Sequence, residues 1–173
     1  MKKRLLTLFI ILFSAFFYIN SSSAVSDVEV VNTIRLAETD IPEGYRYGII
    51  PDFAAGLLKS NPWMLDPAAK KKLAHRIYPG AEYTRISSLH MTILATDTNP
   101  YGDDIVCYIF MFNDEKSAKD EIIKLNEYCG YNSDRSIVLE KNNIAVFLLV
   151  DSTKDYPHIR TISESMRNKL DSI

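Results

Sequence analysis

The sequence contains few of the residues and patterns that usually identify a chemical activity. Its 173 residues include two cysteines and three histidines, and none of them lies at the spacing of a metal-binding or Cys/His nucleophile motif. No His-Glu-x-x-His and no Gly-x-Ser-x-Gly sequence occurs. The sequence alone therefore predicts no cofactor, no metal site and no particular reaction.

The chain also lacks an excess of basic residues. It has 20 Lys and Arg residues against 22 Asp and Glu residues, which gives a formal net charge of −2. Proteins that bind nucleic acids depend on Lys and Arg side chains that neutralise phosphates. The composition therefore argues against a nucleic-acid partner, and we expect an unknown protein or a small ligand instead.

The first 24 residues have the three parts of a secretory signal peptide. A basic patch at residues 2–4 precedes the apolar run 5–19, and a small-residue cleavage site ends at Ala24. The apolar run is shorter than the roughly 20 residues that a membrane-spanning helix usually needs. We therefore predict cleavage near Ala24 and a secreted or periplasmic protein with no membrane attachment. An uncleaved N-terminal anchor is the alternative.

Cleavage would leave residues 25–173, which is the size of one ordinary domain. No linker rich in Gly, Ser or Pro interrupts this range. Loss of three basic residues with the leader would shift the net charge from −2 to −5, which favours solubility. We predict a single α+β domain that is a monomer.

The N-terminal third predicts one strand and two helices. Apolar residues alternate over residues 28–37, which is typical of a strand. Pro51 can begin a short helix that ends at Asn61. Asp66, followed by Pro67, is a strong start for a second helix, which should end before Pro79 and Gly80.

Residues 86–171 predict the order ββαββα, with strands in the spatial order 1-2-4-3 of a four-stranded antiparallel sheet. The second and fourth strands, residues 105–112 and 144–150, are apolar on both faces, as covered central strands should be. We expect both helices, residues 114–129 and 157–170, on one face and residues 28–80 on the other. On the first of these helices, Glu115/Lys119 and Asp120/Lys124 are expected to pair at i,i+4 spacing on the solvent side.

Cys107 and Cys129 are candidates for a disulfide. A strand that runs on from Cys107 and a helix that returns to Cys129 would place the two sulfur atoms at a similar level. Exported chains commonly pair their cysteines. Two buried free thiols would give the same sequence pattern, so both states remain open.

Aromatic residues in the predicted turns are the clearest candidates for contact with a ligand or partner. Rings with a polar tip often serve recognition when loops present them. The strongest candidates are Tyr45, Tyr47, Trp63 and Tyr101. The alternative is that these rings cover the core beneath the long irregular segment 41–65.

Three functions are compatible with these features. The leading one is an exported, non-catalytic binding or accessory protein. The second is a small secreted hydrolase that uses His90 or His158 with a carboxylate from a loop, because the fold alone brings such residues together. The third is an inhibitor or immunity-type protein.

Overall fold

A computed structural model describes residues 27–49 and 61–173. The predicted signal peptide and the short helix predicted from Pro51 lie outside these residues. Contacts within the chain divide it into two compact units, residues 1–33 and 34–173, and the described part of the first unit is helical. In the described part of the chain, no helix is long and apolar enough to cross a membrane.

Residues 27–34 form a helix, α1, and the predicted strand over residues 28–37 is therefore wrong. The Thr33 hydroxyl donates to the carbonyl of Glu29 one turn earlier, at 3.0 Å. Val28, one of the alternating residues, is exposed. A short apolar run with several β-branched residues fits both the 3.6-residue period of a helix and the two-residue period of a strand. In this segment the backbone is helical.

The described residues of the second unit form three further α-helices and six strands. The helices are α2 (Pro67–Ile77), α3 (Glu115–Tyr131) and α4 (Tyr156–Asp171). The strands are β1 (Tyr45–Tyr47), β2 (Trp63–Met64), β3 (Ile86–Thr96), β4 (Ile105–Phe112), β5 (Ser136–Lys141) and β6 (Ile144–Val150). This confirms the predicted α+β class with an antiparallel sheet.

The sheet is larger than the predicted four strands. Its six strands lie in the order β1-β3-β4-β6-β5, and β2 also pairs with β3. The two additional strands are only two and three residues long, and both pair with the same side of β3. Strands this short leave too few alternating residues for a sequence pattern to reveal them.

The two faces of the sheet carry alternate residues of β4. We call the face that carries Val106, Tyr108, Phe110 and Phe112 the first face, and the opposite one the second face. On the first face, Phe110 belongs to the same core cluster as Ile77 of α2 and Ile122 of α3. On the second face, Cys107 lies 3.7 Å from the sulfur of Met166 in α4.

Helices α3 and α4 therefore lie on opposite faces, and the prediction that both cover one face is wrong. An apolar stripe shows which side of a helix is buried, but it does not show which face of the sheet it meets. Described residues between 34 and 80 contact elements on both faces. Trp63 and α2 pack on the first face, whereas Asp40 accepts hydrogen bonds from Ser165 and Lys169 of α4.

Helix α2 begins and ends where the sequence predicts. The Asp66 carboxylate accepts hydrogen bonds from the backbone N–H groups of Ala68 and Ala69, at 2.9 and 2.8 Å. Pro67 occupies the first helical position, where its missing N–H costs nothing. The helix ends at Ile77, directly before the turn at Pro79 and Gly80.

A buried carboxylate connects the end of α2 to α3. Glu121 is fully buried, and its side chain accepts hydrogen bonds from the Tyr78 hydroxyl and the Glu82 N–H, both at 2.9 Å. Lys124 lies at 2.7 Å and Arg85 at 3.7 Å from the same carboxylate. A buried charge is tolerated only when such partners surround it. Burial and the adjacent Glu121 carboxylate together raise the pKa of Tyr78.

Two neighbouring residues of β2 allow a matched test of this packing. Trp63 is 3% exposed and lies in the core, whereas Met64 points to the other face and is 57% exposed. Replacing Trp63 with Ala should lower the free energy of unfolding by about 3 to 5 kcal/mol, because it leaves a large cavity. Met64→Ala should change it by less than about 0.5 kcal/mol. Urea unfolding followed by circular dichroism measures both, and equal midpoints would contradict this account of the core.

Candidate functional site

The structure does not bring the four predicted contact residues together in one site. Tyr45 and Tyr47 lie on β1 with their rings on the second face, and the Tyr47 hydroxyl donates to the carbonyl of Leu36 at 3.1 Å. Trp63 is buried on the first face, so we build no site on it. Tyr101 is exposed in the turn between β3 and β4.

Tyr45 belongs to a cluster at the start of α4. Its hydroxyl donates to the Asp155 carboxylate at 2.7 Å, and its ring lies edge-on to His158, with 5.1 Å between the centroids. Burial and the Asp155 carboxylate both raise the pKa of Tyr45. A hydrolytic triad needs its carboxylate to orient the imidazole. Here Asp155 bonds the phenol instead, and the contact anchors β1 to α4.

His90 lies on the second face and is 6% exposed. Its Nε2 atom lies 3.2 Å from the hydroxyl oxygen of Ser88. Burial lowers the pKa of His90 to about 4, so the imidazole is neutral at pH 7. A general base works best when its pKa is near the operating pH. The pair is therefore better suited to filling a polar position in the core than to activating the serine.

Cys107 and Cys129 are free thiols, which is one of the two states that the sequence left open, and the candidate disulfide is not formed. Cys107 faces Met166 on the second face, whereas Cys129 lies on α3, which packs against the first face. The sheet stands between them. A disulfide would require β4 to direct Cys107 toward α3, whereas Cys107 faces α4. Burial raises the pKa of the Cys107 thiol to about 12, which suits an inert core residue.

An open groove lies between α3 and the end of the β5–β6 hairpin. Its volume is about 450 Å³. Strand β5 is the outermost strand on this side of the sheet, and α3 packs beside it. The lining residues are Glu115, Lys119, Ile122, Ile123, Asn126, Glu140, Lys141 and Asn142.

The groove combines an apolar floor with polar groups at its rim. Ile122 is buried, and the neighbouring Ile123 is 59% exposed. Within residues 27–49 and 61–173, Glu115, Lys119 and Glu140 form no ion pair. The rim therefore presents charges that have no ion-pair partner among the described residues.

The two ion pairs predicted along α3, Glu115/Lys119 and Asp120/Lys124, are not formed among the described residues. The predicted Glu115/Lys119 pair is absent from the ion pairs of the described residues. Asp120 pairs with Arg85 at 2.7 Å, and Lys124 pairs with the buried Glu121. The sequence does not reveal the groove, because Glu115 and Lys119 are typical of a solvent-exposed helix side. The one available signal is Ile123, an apolar residue that lies outside the buried side of α3 formed by Ala118, Ile122 and Leu125.

The lysine at the hairpin turn fixes one wall of the groove. The Lys141 ammonium donates to the carbonyls of Leu170, Asp171 and Ile173, at 2.9 to 3.1 Å. These carbonyls lie at the C-terminal end of α4, where a cation is favoured by the helix dipole. The hairpin turn is thereby held against α4, and the Lys141 ammonium directs its hydrogen bonds to these carbonyls.

Comparison of the chain with models of protein families, with curated proteins and with solved structures found no match. In the part of the chain that the structure describes, no three His, Cys, Asp or Glu side chains are grouped as a metal site requires. The groove and the clusters described above are therefore the basis for assigning a function.

The low pKa of His90 predicts a pH dependence of stability. In the unfolded chain His90 titrates near 6.5, and in the folded chain near 4. The unfolded state therefore takes up the proton first, and stability falls as the pH drops from 7 toward 4. Between pH 7 and 5 this residue should account for about 2 kcal/mol.

Urea unfolding of His90→Leu at both pH values measures that loss. The variant should lose about 2 kcal/mol less than the parent protein over this interval. The exposed His75 of α2 is the matched control, and His75→Leu should keep the parent's pH dependence. An unchanged pH dependence in His90→Leu would show that His90 is not buried in the neutral form.

Proposed function

We propose that this chain is an exported, non-catalytic binding protein whose binding site is the groove between α3 and β5. The groove itself is the observation that supports this function. Its volume of about 450 Å³ falls in the range of about 300 to 1,000 Å³ typical of ligand sites. Its floor is apolar, and a small number of charged and amide groups surround that floor.

The composition of the groove is that of a recognition surface. Binding sites commonly have an apolar centre that loses water on binding and a polar rim that gives specificity. Ile122 and Ile123 provide the centre, and Glu115, Lys119 and Glu140 provide the rim. An aliphatic side chain as exposed as Ile123 gains free energy when a partner removes it from water.

Export is the second part of the proposal, and it is supported by the leader-like residues 1–24. The mature chain would begin near Val25 and meet its partner in the periplasm or outside the cell. An inhibitor or immunity-type protein would be a special case of the same function, in which the partner is an enzyme or toxin.

The hydrolase alternative receives less support from the described side chains. Asp155, the carboxylate nearest to His158 along the chain, bonds the Tyr45 hydroxyl. His90 is buried and has a pKa of about 4. Neither histidine contacts a carboxylate in these arrangements, whereas the groove offers unsatisfied groups to a ligand.

Site-specific cross-linking in the cells that make the protein tests this proposal. A photoreactive amino acid is placed at Ile123 in the groove, and at Lys72, an exposed residue of α2, as the control. Illumination should give a defined adduct at Ile123 at least about five times stronger than at Lys72. The rim variant Glu140→Lys should weaken the adduct, because it reverses a charge at the groove.

The cross-linked chain should be recovered from the envelope or the medium, with an N-terminus near Val25. Equal labelling at Ile123 and Lys72 would contradict a binding role for the groove. Recovery of the full-length chain from the cytoplasm alone would contradict export.

A further inference from the structure

The backbone of β5 presents unpaired hydrogen-bonding groups along its outer side. Antiparallel partners alternate between residues that exchange hydrogen bonds and residues whose backbone groups point away. The Val150 N–H donates to the Arg135 carbonyl at 2.9 Å, which sets the phase of the β5–β6 pair. Ile137 and Leu139 therefore turn their backbone groups to β6, and Val138 and Glu140 turn theirs outward.

These outward groups remain unpaired within the described part of the chain. No backbone hydrogen bond there involves the N–H or C=O of Val138 or Glu140 on that side. The opposite edge of the sheet is different, because β1 and β2, which lie there, are only three and two residues long and offer little template for another strand. An open strand edge is a ready template for another extended chain.

The open edge and the groove share one wall. Glu140 lines the groove together with Lys119 and Ile123 of α3. The side chain of Glu140 lies on the first face, where α3 packs. A strand added to β5 would run about 4.8 Å from it and would direct every second side chain into the groove.

We propose that the groove binds an extended peptide segment of a partner protein, which adds to β5 as a new edge strand. Backbone groups of Val138 and Glu140 pair with the peptide, and an apolar peptide side chain covers Ile122 and Ile123. This inference rests on the proposed binding function of the groove and specifies its ligand. Such strand addition derives affinity from the backbone and selectivity from alternate side chains.

Charge at the rim selects the peptide. Glu115 and Glu140 present two carboxylates, against the single ammonium of Lys119. The Lys141 ammonium keeps its charge, but its hydrogen bonds to three carbonyls at the α4 end hold it on the second face, away from the Glu140 carboxylate on the first face. The groove therefore favours a peptide in which apolar and basic residues alternate at the groove-facing positions.

A capped peptide with the sequence Val-Thr-Lys-Thr-Val-Thr-Lys-Thr is a suitable probe. Fluorescence anisotropy of the labelled peptide measures its affinity for the purified mature chain. Methylation of alternate backbone nitrogens, chosen in both possible phases, removes donors without changing charge. One of the two methylated peptides should bind at least about tenfold more weakly. Replacement of both lysines with glutamate should also weaken binding by about tenfold.

A pair of variants at Glu140 separates the backbone from the side chain. Glu140→Pro removes the outward N–H and the carboxylate, whereas Glu140→Ala removes the carboxylate only. Proline is tolerated on edge strands where the N–H faces solvent. Glu140→Pro should bind the probe at least about tenfold more weakly than Glu140→Ala, and circular dichroism establishes that both variants are folded. The methylated peptides give the same information without any variant.

Three results would overturn strand addition. These are no binding of the probe, equal binding of all methylated forms, or equal affinity of Glu140→Pro and Glu140→Ala. A dimer of the chain that Glu140→Pro dissociates would assign the edge to a second copy instead. Cross-linking at Ile123 that persists in these cases would leave the binding function in place, whereas loss of that cross-link would remove the function as well.

Discussion

The two central strands bury side chains on both faces of the sheet, and the rest of the molecule is arranged around that requirement. Strand β4 places Phe110 on one face and Cys107 on the other, and both are buried. Two exposed apolar faces would far exceed the patches that soluble monomers tolerate. Helices α2 and α3 therefore cover the first face, and α4 covers the second.

Polar contacts then fix these covering elements in place. Glu121 of α3 holds the turn after α2 through Tyr78 and the Glu82 N–H. On the other face, Asp40 contacts Ser165 and Lys169 of α4. Each network joins segments far apart in the chain, so the cover on each face is tied to its neighbour by directional bonds as well as by packing.

The two edges of the sheet differ in the length of their outermost strands. On one side the edge consists of the short strands β1 and β2, whereas on the other side no described residue pairs with the outer side of the six-residue strand β5. Helix α3 runs beside that edge and forms a groove with it. This open edge and groove are where we propose that a partner binds.

Local signals predicted several elements well. The Asp66 cap with Pro67 gave the start of α2, because capping depends on neighbouring residues alone. An alternating strand, a turn rich in Asn, Pro and Gly, and the apolar run 105–112 predicted the β3–β4 hairpin, because turn and strand signals are also local. The apolar character of β4 and β6 indicated that both faces must be covered.

Features set by long-range packing could not be predicted in the same way. The opposite placement of α3 and α4 depends on the path of the chain, and it also separates Cys107 from Cys129. The groove depends on which strand lies at the edge and on where Glu140 meets α3. Residues 27–34 show the remaining difficulty, since their apolar spacing suits a helix as well as a strand.

Hydrogen exchange along β5 tests most directly whether this strand is an open edge. Amides paired with β6, those of Ile137 and Leu139, should exchange only when the hairpin opens. The outward amides of Val138 and Glu140 should exchange about a hundredfold faster or more. This alternation, resolved by NMR, is the expected result for the free protein. Uniform slow exchange of all four amides would show that the edge is already paired, and it would contradict the account.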